Sequence, residues 1–205
     1  MKLNTLFLLL TLPLFIVAQN KMSYKTELVY SCNFENESDL ADWVMEGPGI
    51  AEIQDGKLLI YPKYYDAAVD YLKRNNKVFN GLGVNFYEGV ETAMRKDMGE
   101  EVEAYYNNGN FSGGHIVYWN KFVTPNNYIL ECDFQSLSEH ALHMIMFSVT
   151  GMQGEDVFAE HLKKRNGVAA QYTQSELYSY RISFFAPGRD TSNMRKTQGK
   201  RQTIK

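Results

Sequence analysis

Two short segments constrain this chain most, because their side chains alternate with a period of two. Tyr128 to Gln135 (YILECDFQ) sets Tyr128, Leu130, Cys132 and Phe134 against Ile129, Glu131, Asp133 and Gln135. Tyr178 to Phe185 (YSYRISFF) sets Tyr178, Tyr180, Ile182 and Phe184 against Ser179, Arg181 and Ser183. Successive side chains of a strand point to opposite faces, so this pattern predicts half-buried strands. Leu28–Phe34, His115–Trp119 and His143–Val149 read the same way, and Ile50–Ile53 with Lys57–Tyr61 predicts a hairpin around Gln54-Asp55-Gly56. About eight strands broken by Gly, Asn and Pro turns predict a mainly β chain, a sandwich of antiparallel sheets. From Pro187 onward no strand pattern is evident, and the basic residues Arg195, Lys196, Lys200, Arg201 and Lys205 read as a solvated tail.

One stretch breaks the pattern. Tyr65, Ala68, Val69 and Leu72 within 64–77, then Val90, Ala93, Met94 and Val102 within 86–106, recur at helical spacing. The expectation is a helical insertion at about residues 62–110, packed over one end or face of the sandwich.

The N-terminus bears on compartment. Lys2 precedes an apolar run from Leu6 to Val17, and small Ala18 stands before Gln19-Asn20. A positive end, an apolar stretch too short to span a bilayer and a small residue predict a signal peptide over 1–18, hence a secreted or periplasmic protein with no membrane anchor. A single domain over 19–199 and a polar tail over 200–205 complete the expected organisation. The net charge of −3 argues against a nucleic-acid partner, which would require a basic face. Two cysteines, Cys32 and Cys132, fall far short of a disulfide scaffold, and whether they pair is open. Gly154-Glu155-Asp156 offers too few oxygens to support a calcium site, so no metal or cofactor is predicted.

The chemistry-bearing residues cluster on the predicted strands. Glu131 and Asp133, at i and i+2, would stand ~7 Å apart on one sheet face, half of a glycosidase carboxyl set. Arg181 on that same face would grip a sugar acid, since its planar fork bonds both oxygens of a carboxylate. His143 or Tyr172 would shuttle the proton of a β-elimination, with Gln171 beside the site. Trp119 and Trp43 are candidate stacking platforms for sugar rings, Trp43 being the better fit to a core. Each of these residues also has an ordinary structural use: a polar face in water, a packed Tyr, a hydrogen-bonded His.

The run GHIVYWNKFVTPNNYILECDFQSLSEHALHMIMFSVTGMQGEDVF and the run LKKRNGVAAQYTQSELYSYRISFFAPGRDTSNMRK resemble the YesU-like proteins of the concanavalin A-like lectin/glucanase superfamily. FENESDLADWVMEGPGIAEIQDGKLLI is similar too, in a pattern common to many such sandwiches. ECDFQ also resembles the E-x-D-x-E strand of laminarinase- and lichenase-type glucanases, but Gln135 stands where that pattern needs its proton-donating Glu. The resemblance implies a jelly-roll β-sandwich of two antiparallel sheets, a setting in polysaccharide utilisation and no defined reaction. Trp119, Glu131, Gln135, Arg165, Tyr172, Tyr180, Asn193, Arg195 and Lys196 fall in the matching motifs, and Gln135, Tyr180, Asn193 and Arg195 join the substrate-binding candidates. Family members continue past Asn193-x-Arg195-Lys196 with further strands, so the resemblance also implies closing strands beyond this chain and unpaired edges within it.

The expectation is therefore a carbohydrate-binding or carbohydrate-processing protein acting on a uronate- or rhamnose-containing polysaccharide, as a lyase or hydrolase if it is an enzyme. The competing reading is a non-catalytic structural or partner-binding sandwich, or an inactive gene product. Residue placement separates the two: the first requires Glu131, Asp133 and Arg181 in one trough.

Overall fold

The computed structural model describes residues 25–77, 84–137, 142–184, 192–199 and, for the backbone, 201–204. The predicted signal peptide and the end of the second alternating segment, Phe185, lie outside the described residues. Residues 25–31 belong to a compact unit separate from 32–205 and are irregular. The strand expected over 28–34 is not formed.

Within the larger unit, a 3₁₀ turn over Glu37–Asp42 leads into β1 (Trp43–Glu46). The hairpin β2 (Gly49–Gln54) and β3 (Lys57–Pro62) turns at Asp55-Gly56, both at positive φ, as its sequence predicts. Helices α1 (Tyr65–Arg74) and α2 (Val84–Met98) follow, with a 3₁₀ turn over Gly99–Tyr105. A short hairpin, β4 (Tyr106–Asn107) and β5 (Asn110–Phe111), precedes β6 (Val117–Asn120), which pairs antiparallel with β1. The largest sheet consists of β7 (His143–Gly151), β8 (Leu177–Phe184), β9 (Asn193–Gln198) and β10 (Arg201–Ile204), in the order β10-β9-β8-β7 and antiparallel throughout. A four-residue helix, α3 (Ala170–Thr173), stands before β8.

The helices form where the periodicity puts them, and they carry their own core. Tyr64, Ala68, Val90, Met94 and Val102 are buried together, with Phe86, Ala93, Met98, Tyr105 and Phe111 packed around them. Gly89 permits the close crossing: a Cβ there would lie 2.8 Å from the Cα of Ala68. A second core gathers Trp119, Val157, Leu162, Tyr172 and Leu177, with Met146 and Val149 against it.

Two further expectations about strands need correction. Residues 193–198 and 201–204, read as tail, are β9 and β10, joined at Gly199 with φ +58°. Their pattern escaped notice because the inward side of β9 is polar, with Thr197 fully buried. Conversely, 128–135 is not a strand: it forms no ladder, although Tyr128 reaches Ser148 and Ser136 reaches His143, so that it runs antiparallel along β7. Alternation sets which side chains share a side; it does not supply a pairing partner.

His115 sits between the helical core and β6. Its Nδ1 lies 3.2 Å from the Ser112 carbonyl oxygen and therefore carries the proton, which leaves Nε2 to accept from Tyr87 Oη at 3.1 Å. Burial holds its pKa below the ordinary 6.5. The unfolded chain then takes up this proton first, so the stabilisation is complete above pH 6.5 and is lost as pH falls below it, through the depressed folded value. Urea midpoints measured from pH 7.5 to 5 should decline on the acid side, and His115→Gln should flatten that decline. An unchanged slope in the variant would remove His115 from the account.

Candidate functional site

The centre of the second core is an ion. Glu46, at the end of β1, is 9% exposed, yet its carboxylate accepts four hydrogen bonds. Arg165 grips it with both prongs, Nε to Oε2 at 3.0 Å and Nη2 to Oε1 at 2.7 Å. Trp119 Nε1 donates at 2.8 Å and Tyr172 Oη at 2.7 Å. Arg165 Nη2 also donates to the Val157 carbonyl, and Tyr172 Oη accepts from Gly167 N, so the partners are themselves held. Gly47 and Gly167 make the approach possible: both have φ near +95°, and a Cβ on either would lie under 2.4 Å from the His115 carbonyl oxygen.

This network reassigns two predicted site residues. Trp119 is 7% exposed and belongs to the core, so it is no surface platform for a sugar. Tyr172 has its hydroxyl committed to a buried carboxylate; burial, then the bond to Glu46, drive its pKa far above the ordinary 10.0. A phenol so placed is a poor proton shuttle. Gln171, in α3, accepts from Asn166 N at 2.8 Å and holds a loop. Glu46 itself escaped the sequence reading, since a lone Glu ending a short strand carries no local sign of burial.

The open concavity lies elsewhere. A groove of about 600 Å³ runs between residues 126–132 and the β7–β9 sheet, lined by Tyr128, Leu130, Cys132, Phe147, Tyr180 and Met194 among others. Phe147 and Tyr180 are cross-strand partners, stacked with centroids 5.7 Å apart and 18° between planes. Lys196 Nζ stands 5.5 Å from the Tyr180 ring centroid. Ser148, at a bulge in β7 with φ +49°, meets Tyr128 Oη at 2.6 Å. Volume and lining fall in the range of small-ligand sites.

The sequence reading has the sides of this groove reversed. Leu130 and Cys132 line it, whereas Glu131, Asp133 and Gln135 are exposed and take no part in it. On β8, Tyr180 and Ile182 face the groove, while Ser179, Arg181 and Ser183 lie buried on the opposite side of the sheet. The expected common trough for Glu131, Asp133 and Arg181 is therefore not formed: the apolar stripe, not the polar one, faces the groove. His143 lies beyond the groove lining, its Nε2 2.9 Å from Ser136 Oγ and its ring against Phe134 and Phe184, and burial lowers its pKa. Asn193 and Arg195 are half-buried on β9, Asn193 accepting from Ser183 Oγ through its carbonyl at 3.4 Å. Cys132, exposed, and Cys32 are both free thiols.

The oxygens of 154–156 are used locally. Glu155 Oε2 accepts from Gln153 N, its Oε1 meets His161 Nε2 at 3.2 Å, and Asp156 Oδ1 accepts from Phe158 N. Among the described residues no helix is long and apolar enough to cross a membrane.

Residues 86–202 match the profile of a family described as a domain of unknown function (DUF1961). The chain belongs to this family. The matched span opens inside the expected insertion and takes in α2. The chain is also similar to the uncharacterized protein YesU of Bacillus subtilis (strain 168), 32% identical over 91 residues, covering 42% of this chain and 41% of that one. Among solved structures it is similar to a Bacillus subtilis protein of unknown function with a galectin-like fold, with TM-score 0.50 and 20% identity over 85% of this chain and 60% of the other. The chain thus spans less than two thirds of the length of these relatives, and the fold it shares with the second is galectin-like.

The Glu46 network yields a direct test. Glu46→Gln leaves Arg165 buried beside a neutral group, and breaking one side of such a pair costs roughly 3–5 kcal/mol. Tyr172→Phe removes one hydrogen bond to the ion and should cost about 1.5–3 kcal/mol. Urea unfolding should rank Glu46→Gln as the more damaging; equal midpoints for both variants and the parent would mean that the ion does not hold the fold.

Proposed function

We propose that this protein binds carbohydrate, and that the groove between residues 126–132 and the β7–β9 sheet receives the sugar. The observation that carries the reading is the Phe147–Tyr180 stack lining an open groove on a galectin-like fold. Aromatic faces pack against the C–H faces of sugar rings, while hydroxyls and amides at the rim take the sugar hydroxyls. Tyr128, Ser148, Asn126 and Asn127 supply such groups here. Binding without catalysis is favoured because, among the described residues, no carboxylate lines the groove and because Glu131 and Asp133 stand outside it.

The fuller proposal is an exported two-sheet sandwich with α1 and α2 as an inserted layer, acting on a uronate- or rhamnose-containing polysaccharide. Lys196, poised beside Tyr180, supports an acidic glycan: its ammonium would attract a uronate, and among the described residues no acidic side chain lining the groove opposes it. The apolar segment 6–17 supports export.

Affinity electrophoresis through gels containing polygalacturonan, rhamnogalacturonan, galactan or β-glucan tests the reading. The protein should be retarded by at least one glycan, and Tyr180→Ala should weaken that retention on the order of tenfold. Unretarded migration in every gel would end the carbohydrate assignment.

A further inference from the structure

The side of the β7–β9 sheet away from the groove carries a second, polar constellation. Ser179, Arg181 and Ser183 on β8 are each 3% exposed, and Thr197 on β9 is fully buried. Register places Arg181 directly opposite Arg195, and Ser179 opposite Thr197. Two guanidinium groups facing each other across strands repel, and a buried cation is stable only with its charge answered. Among the described residues neither arginine is ion-paired, and Arg181 Nε, Ser179 Oγ and Thr197 Oγ1 are buried without any hydrogen-bond partner.

Four polar side chains on two strands, three of them with buried unsatisfied atoms, share this side of the sheet. We propose that Arg181 and Arg195, flanked by Ser179 and Thr197, bind a carboxylate. A guanidinium offers two parallel N–H donors matched to the two oxygens of that group, and hydroxyls at its edge complete the acceptor lone pairs. The site's edge meets solvent: Met144, partner of Ser183 on this same side, is 42% exposed, and Arg195 is itself half-buried. Burial and then the Arg195 charge lower the Arg181 pKa, in keeping with the opposed like charges. This site lies across the sheet from the groove and does not depend on the groove's being a sugar site.

Calorimetric titration of the full chain with sodium galacturonate and with sodium acetate, at ionic strength matched with chloride, tests the proposal. Saturable one-to-one heat is expected from galacturonate. Similar affinity for acetate would show that the carboxylate suffices, and tighter galacturonate binding that the sugar ring adds contacts; either supports the site. Arg195→Gln, at a half-buried position, should weaken binding by roughly tenfold or more. Without ligand, the same variant should keep or raise the urea midpoint, because it relieves an opposed like charge. No saturable heat with either anion, heat that survives in Arg195→Gln, or a lowered midpoint (a guanidinium already paired within the chain) would each overturn the proposal. Loss of glycan retention without loss of this heat would count against the groove alone, and the reverse against this site alone.

Discussion

The larger unit is tied together by one buried ion. Glu46 collects partners that stand 73, 119 and 126 residues away in the chain, Trp119, Arg165 and Tyr172, and fixes β1, the 157–167 loop and α3 around a single carboxylate. An ion pair taken out of water is weak support unless every lone pair is used, since desolvation then offsets the attraction. Here four donors converge on two oxygens, and the donors are themselves anchored. Such a network specifies one arrangement of loops because any slip leaves a buried charge unanswered. The Gly47–Gly167 contact belongs to the same device: only residues without a Cβ let the strands' loops close tightly enough on the His115 carbonyl for the ion to be reached.

How far the sequence could be read depends on which physical signal each segment carries. Local signals served well. The Asp55-Gly56 turn, the helical spacing of Ala68, Leu72, Val90 and Met94, and the alternation read along 178–185 and 143–149 correspond to the β2–β3 hairpin, α1 and α2, and the described parts of β8 and β7. The two-fold alternation along 128–135 sorted its side chains correctly, since Tyr128, Leu130 and Cys132 do share a side. It failed on pairing, which depends on a neighbour elsewhere in the chain.

The candidate site was harder, for a reason that β8 displays. Reading a strand by polarity assumes that its apolar side is covered. On β8 the polar stripe Ser179-x-Arg181-x-Ser183 is the buried one, and Ile182 of the apolar stripe remains 37% exposed. The Arg181 assignment, which relied on the usual orientation, therefore fell on the side of the sheet away from the groove. β9 was overlooked for the same cause: Asn193, Arg195 and Thr197 give no apolar period, although Thr197 is wholly enclosed. Residues of the Glu46 network posed a third difficulty, because Trp119, Arg165 and Tyr172 appear in family motifs as readily for structural reasons as for catalytic ones.

A sheet with buried polar groups beside its core contacts on one side and an aromatic groove on the other divides its tasks by strand parity. Even-numbered residues of β8 stand toward the groove and odd-numbered residues toward the arginine pair, so no single substitution on this strand serves both. What shapes the groove is strain at its edge. Ser148 holds φ at +49° without being glycine, an arrangement that costs on the order of 1–3 kcal/mol and persists only where its surroundings enforce it. The bulge there interrupts the β7–β8 register between Phe147 and Thr150, and the Ser148 hydroxyl meets Tyr128 Oη. Segment 126–132 is thereby moored to the sheet at one point while remaining outside its ladder. A regular β7 would lack that bend, and the groove owes its wall to the irregularity.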